Sequence, residues 1–231
     1  VYGIVRRNST LYNDKNIAHL RGKINIEYGD VNDALGLNRY LTKIMSENEG
    51  FSVFEMYNLA AQSHVAVSFE IPDYTNQTNV NGALYILEFM RNQPEDVRRR
   101  LKFYQASTSE MYGSAKPPQN ELTNFKPASP YGTAKLYSYW ITRNYRESYN
   151  LFASNGILFN HEGIYRGETF VSRKITQAVI NIINGKQKFI TLGNLNAKRD
   201  WGDAEDYVVG MWKILQFKKA DDFVLATGKS Y

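Results

Sequence analysis

Cysteine is absent from the 231 residues. Disulfides, thiolate metal sites and a cysteine nucleophile are therefore excluded, and no other metal-ligand pattern is visible. The lack of thiols fits a cytoplasmic protein. Long apolar runs are missing too. LYILEFM, at 84–90, is among the longest and is broken by a glutamate. It falls far short of the ~18 apolar residues a membrane helix needs, so no membrane partner is expected. Residues 1–7 carry no apolar signal-peptide core. Two matches to the glycosylation pattern, at Asn8 and Asn76, are read as chance. With 6 prolines and 16 glycines, collagen-like and low-complexity classes fail. Neither sign of charge dominates: 28 basic and 23 acidic residues leave +5. Hydrophobic residues are 43% and charged residues 22%, a globular balance that excludes extensive disorder. Arg98, Arg99, Arg100 and Lys102 form a basic cluster without interleaved aromatics. It reads as a solvated turn, so no nucleic-acid partner is expected.

What is present is an alternation of short apolar runs with helical segments. Strands are expected at 1–7, 24–30, 52–60, 101–107 and 151–160, and at the DFVLATG segment. Helices are expected at 34–46, along NVNGALYILEFMRN, along PYGTAKLYSYWITRNYRESY, at 171–184 and at 204–217. Strands separated by helices predict an α/β fold, a Rossmann-like doubly wound parallel sheet. The length predicts one large domain or one plus part of a second. Ligands of such sheets sit at the carboxyl ends of strands. Four of those ends carry small, polar turns, beginning at Arg6, Gly29, Leu59 and Ser107.

Tyr131 and Lys135 are four residues apart in a predicted helix, on one face. A cation beside a phenol lowers its pKa, so such a Tyr could exchange a proton with a substrate hydroxyl. Ser129-Pro130 marks the helix start. Ser107, Thr108 and Ser109 end a strand some twenty residues upstream, where a hydroxyl could bind the reacting oxygen.

That combination resembles the nucleotide-sugar branch of the short-chain dehydrogenase/reductase superfamily. YNLAAQSHV (57–65), FYQASTSEMYG (103–113), SPYGTAKLYSYW (129–140), NGILFNHE (155–162) and LGNLNAKRDWG (192–202) resemble its GDP-mannose 4,6-dehydratase family. The resemblance implies an internal redox dehydration of GDP-mannose on NADP. It makes Tyr131 the base for the C4 hydroxyl, Thr108 its partner, Glu110 the base for the C5 proton and Lys135 the supporting cation. It implies cofactor contacts from Arg6 and Arg7, with Asp30 and Val31 at the adenine. Leu59, Ala60, Ala61 and Ser63 form a wall, joined by Tyr74, Lys135, His161 and Arg166. Substrate contacts fall to Asn160, Lys174, Asn194 and Arg199. Residues 1–160 would be the NADP-binding domain, and 161–231 the start of a smaller sugar-nucleotide domain with segments packing back on the first. The family implies a homo-oligomer, a dimer or tetramer, with residues 6–13 near a neighbour. Its opening strand and G-x-x-G-x-x-G loop are not found in these residues. The chain is expected to begin and end inside a longer protein, and to bind NADP poorly alone. Between His161 and Arg166 it reads Glu-Gly-Ile-Tyr, where the family usually has Glu-Ser-Pro-Arg. Two other readings stay open: a different nucleotide-sugar epimerase or dehydratase, and a non-catalytic nucleotide-binding domain.

Overall fold

The computed structural model describes residues 1–7 and 16–231. Most of the 6–13 segment expected beside a neighbouring subunit therefore lies outside the described residues. Strand β1 (Tyr2–Val5) pairs in parallel with β2 (Asn25–Tyr28). Then come α1 (Ala34–Glu47), β3 (Phe54–Asn58), α2 (Val65–Glu70), α3 (Pro72–Arg91), α4 (Glu95–Arg98) and β4 (Leu101–Thr108). The chain continues through α5 (Pro130–Tyr149), β5 (Phe152–Leu158), β6 (Asn160–Glu162) and α6 (Val171–Ile183). It closes with β7 (Trp201–Asp203), α7 (Ala204–Gln216) and β8 (Asp222–Leu225). The central sheet has the order β3-β4-β5-β8, every pair parallel. The expected α/β, Rossmann-like parallel architecture is what the chain forms.

Helices on both faces explain why β4 and β5 are buried almost end to end. Leu101 and Phe103 point into one core with Leu87 and Met90 of α3. Tyr104 and Ala106 point the other way, onto Met211, Ile214 and Leu215 of α7. Local chemistry sets the helix ends. Ser129 accepts from the Gly132 N–H and Pro130 opens α5; Asn150 closes it in the left-handed conformation, φ 53°. Asp203 caps α7, and Glu205 and Asp206 in its first turn suit the helix dipole.

Three differences from the sequence expectation have physical causes. α3 begins at Pro72, before its apolar stripe, because its opening turns are polar and carry no hydrophobic signal. α2 is too short to show a period. The single strand expected at 151–160 is two: β5 ends at Leu158, and β6 leaves the main sheet to pair with β7.

β1 and β3 do not pair with one another. Between them lies a trough of about 1360 Å³, walled by both strands and by Leu37, Leu41 and Ile44 of α1. Asn48 bonds Tyr2 near the amino ends of the two strands, and Phe51 lies at the same end. Arg6 bonds Tyr74 near the carboxyl ends. The two strands thus run the same way, and both carboxyl ends open on one side.

Candidate functional site

Thr108 is the last residue of β4. Its hydroxyl accepts from the Glu110 N–H at 3.2 Å and lies near enough to the Tyr131 phenol to lower its pKa. Tyr131 reaches it because α5 lies close against the turn at Ser109–Met111. Gly132 permits that approach: a Cβ there would sit 2.8 Å from the Glu110 carbonyl oxygen. Tyr131 is buried, and burial pushes its phenol up to about 12. The Thr108 hydroxyl works against that rise and the Glu110 charge adds to it.

Lys135 follows one turn later and is also buried. Its Nζ donates to the Ala106 carbonyl oxygen at 3.0 Å. Burial brings it down to about 8. The sequence led to a Tyr131 acidified by Lys135. In this structure burial outweighs the other effects and the phenol is raised. The ammonium, withdrawn from water, is tied to a backbone acceptor instead.

The trough gathers most of the expected cofactor residues at the strand ends. Arg6, Asp30 and Val31 line it from β1 and β2, and Leu59, Ala60, Ala61 and Ser63 from the loop after β3. Tyr74 of α3 joins them. The Arg6 guanidinium lies 5.9 Å from the Tyr74 ring centre. Asp30 accepts from the Asn32 N–H at 2.9 Å, shaping the turn beside it. Arg7 stands apart, its guanidinium over the Tyr28 ring at 4.6 Å. Arg166 sits at the rim, 3.8 Å over the ring of Phe170, which lines the trough. It pairs with Glu162 at 3.2 Å, and burial lowers its pKa. His161 turns towards α7, stacked on Tyr207 at 4.6 Å, with Nδ1 2.8 Å from the Phe159 carbonyl oxygen.

The four candidate substrate residues are not brought to the trough. Asn160 opens β6, half-buried opposite Trp201. Lys174 is exposed and donates to the Thr191 carbonyl at 2.8 Å. Asn194 closes an exposed turn onto the Asn196 N–H. The Arg199 guanidinium donates to its neighbour's carbonyl, that of Lys198, while its backbone pairs with Tyr231.

Sequence reasoning missed several residues here. Gln62 accepts from the His64 N–H and donates to Thr75, which sets the shape of the loop after β3. Asn58 and Gln105 bond one another at 2.8 Å beneath that loop. Asn58 adjoins the LAAQS segment and could have been suspected; Gln105 had no local signal.

Fold and strand-end site together define a Rossmann-like α/β protein of the kind seen in nucleotide-sugar dehydratases and epimerases. One such structure is DesIV, a dTDP-glucose 4,6-dehydratase from Streptomyces venezuelae with NAD and TYD bound. It matches with a TM-score of 0.79 at 25% identity, over 99% of this chain and 67% of that one. The UDP-N-acetylglucosamine 4-epimerase from Methanobrevibacter ruminantium M1 shares the fold, with a TM-score of 0.78 at 24% identity over 100% and 70%. The family model for GDP-mannose 4,6 dehydratase matches residues 1–231, and the chain belongs to that family. GDP-mannose 4,6 dehydratase 1 of Arabidopsis thaliana is 49% identical over 239 residues, covering 100% of this chain and 64% of the relative. The GDP-mannose 4,6-dehydratase of Sinorhizobium fredii is 50% identical over 236 residues, covering 99% and 64%. The chain thus spans a little under two thirds of the length of these relatives.

Proposed function

We propose that the protein converts GDP-mannose to GDP-4-keto-6-deoxy-mannose, with NADP as cofactor. The observation that carries this reading is the cluster at the head of α5. The Thr108 hydroxyl and the Glu110 charge both act on the Tyr131 phenol at the end of β4, the strand paired with β3, whose following loop lines the trough.

The residues around the trough suit a dinucleotide. Arg6 offers a planar cation for a phosphate, and Ala60 and Ala61 leave the backbone approachable. Arg7, on the same strand end, supports NADP over NAD. When bound, the nicotinamide supplies a hydride acceptor that later returns the hydride. The chain's own residues handle protons. Tyr131 Oη takes the proton of the sugar C4 hydroxyl while the Thr108 hydroxyl orients the C4 oxygen. Once C4 is a ketone, the C5 proton is acidic; a Glu110 carboxylate oxygen takes it and assists loss of the C6 hydroxyl as water. Lys135, one turn further along α5, supplies a positive charge that offsets the burial of the phenolate when the proton leaves. Lys174 and Arg199 neutralise the pyrophosphate of the sugar nucleotide, with Asn160 and Asn194 alongside. His161 and Arg166 complete the cofactor contacts.

Residues 1–160 form the cofactor domain in this reading, and 161–231 open the sugar-nucleotide domain. The working form is a homo-oligomer in the cytoplasm. Among the described residues, no helix is long and apolar enough to cross a membrane. The test is kinetic. In the full-length protein with GDP-mannose and NADP, Tyr131→Phe is expected to slow hydride transfer by ~10²–10⁴-fold, the usual worth of a general base. It should leave NADP binding largely intact. Glu110→Gln is expected to permit the first hydride transfer and block loss of water. Near-normal turnover by Tyr131→Phe would remove the base assignment.

A further inference from the structure

A row of polar side chains crosses the central sheet beneath α5. Asn58, Gln105, Asn155 and Asp222 are successive cross-strand partners on β3, β4, β5 and β8. Residues paired in this way share one face of a sheet. Asn58 is 5% exposed, and Gln105 and Asn155 are fully enclosed. Amides in such surroundings must have their groups satisfied.

The satisfaction here runs in one direction. Asn58 Nδ2 donates to Gln105 Oε1 at 2.8 Å. Gln105 Nε2 donates to the Ala106 carbonyl oxygen at 3.0 Å. Lys135 Nζ donates to the same oxygen, also at 3.0 Å. Ala106 lies one residue beyond the last β3–β4 pair, where the ladder to β3 has run out. We propose that Gln105 is a positioning residue for Lys135, and that Asn58 fixes the orientation in which Gln105 does this. The catalytic meaning of the proposal rests on the dehydratase reading; its geometry does not.

The reasoning is steric and electrostatic. A flipped Gln105 would set its NH2 against the Asn58 NH2 and its oxygen against the Ala106 oxygen. Both contacts are repulsive, so Asn58 selects one carboxamide orientation. In that orientation two donors converge on one acceptor. The amide hydrogens then lie beside the ammonium and disfavour its charge, in the same sense as burial. Among ionisable neighbours, Tyr131 lies one turn back on α5 and Glu110 follows β4. Glu88, on α3, is engaged by Arg91 and Tyr145. Burial also holds Lys135 below its ordinary value. Asn58 also lines the trough, so a change at the cofactor cradle reaches the ammonium through two side-chain amides.

The experiment follows the Lys135 side chain by NMR against pH in full-length protein with 13C-labelled lysine, without cofactor or substrate. The signal is assigned by its loss in Lys135→Met. Gln105→Met keeps the length and removes both amide groups; Gln105→Glu places an anion beside the ammonium. Both are expected to raise the Lys135 midpoint, by about half a pH unit or more and about one unit or more respectively. Asn58→Leu frees Gln105 to turn its oxygen to the ammonium and raises the midpoint too. The pair Asn58→Leu with Gln105→Met moves it no further than Gln105→Met alone, because Asn58 acts only through Gln105. An unmoved midpoint in Gln105→Met and Asn58→Leu, with only a lower melting temperature, overturns the proposal. Additive shifts overturn the role given to Asn58. Should Gln105→Glu fail to fold, the two neutral variants decide. No turnover is measured, so a failed dehydratase reading would leave this result standing, and the reverse.

Discussion

Adding one methyl group at Gly132 should loosen the join between α5 and the turn after β4. The new Cβ would lie 2.8 Å from the Glu110 carbonyl oxygen, and 3.3 Å from both Pro127 Cβ and Ser129 Oγ. Ordinary contact begins at 3.4 Å, so the closest approach is short by about 0.6 Å. The obstructing atom is backbone and cannot swing aside. Alanine would gain ~1 kcal/mol in helix propensity over glycine, and overpacking costs ~1–3 kcal/mol, for a net loss of about 1 kcal/mol. The kinetic effect should be larger than the thermodynamic one. A misplacement of ~1 Å can cost ~10²-fold in rate, so about 0.6 Å between Tyr131 and Thr108 should cost roughly tenfold in hydride transfer. KM should change little, because Gly132 does not line the trough. The assay is rapid mixing of the full-length protein with GDP-mannose and NADP, read by nicotinamide absorbance, beside urea unfolding of the same samples. Gly193→Ala serves as control, since its Cβ would meet nothing within 4 Å. A Gly132→Ala protein with full rate and raised stability would refute the reasoning: the contact would then be soft and helix propensity would have won.

Other outcomes follow from the same structure. Arg146 and Asp222 form a bidentate pair, closest at 2.9 Å, with side chains 12% and 6% exposed. Asp222→Ala should lose ~3–5 kcal/mol in urea unfolding, and Asp222→Leu with Arg146→Met should recover most of it; a loss below ~1 kcal/mol would contradict this. Arg6→Ala with Arg7→Ala should weaken NADP at least ~10-fold more than NAD in a binding titration, and equal losses would exclude a 2′-phosphate role. Lys135 falls from 10.5 to about 8 on folding, so the unfolded chain holds more protons between those values. Stability relative to Lys135→Met should therefore rise with pH from about 8 towards 10.5, and a flat difference would show that the lysine is not buried as described.

Much of the site was legible before folding because it is local. Ser129-Pro130 announces the start of α5, and the i, i+4 spacing puts Tyr131 and Lys135 on one helix face. Strand-end runs such as LAAQS lead directly to the trough wall. Other elements left no local trace. β6 has three residues and exists only because Asn160 finds Trp201 some forty positions away. Lys174, Asn194 and Arg199 suit an anionic ligand by type, yet stand exposed and apart, held by neighbouring backbone.

Composition and periodicity by themselves determined the class of fold and the parallel sheet, and the i, i+4 spacing put Tyr131 and Lys135 on one helix face; Thr108 and Glu110 joined them through the family resemblance of the surrounding segments. Fold class, sheet and helix face depend on spacing along the chain, and helices and strands translate spacing into direction. Only the tertiary structure decided where Lys135 spends its charge. One turn of helix brings it near Tyr131, but a buried ammonium goes to the acceptor the sheet presents, and that acceptor is the Ala106 carbonyl. The register that set Asn58 opposite Gln105, and Gln105 opposite Asn155, is equally invisible in any single strand. A polar residue in an apolar run reads as an interruption until its cross-strand partner is known, because the bond that justifies its burial lies on another strand.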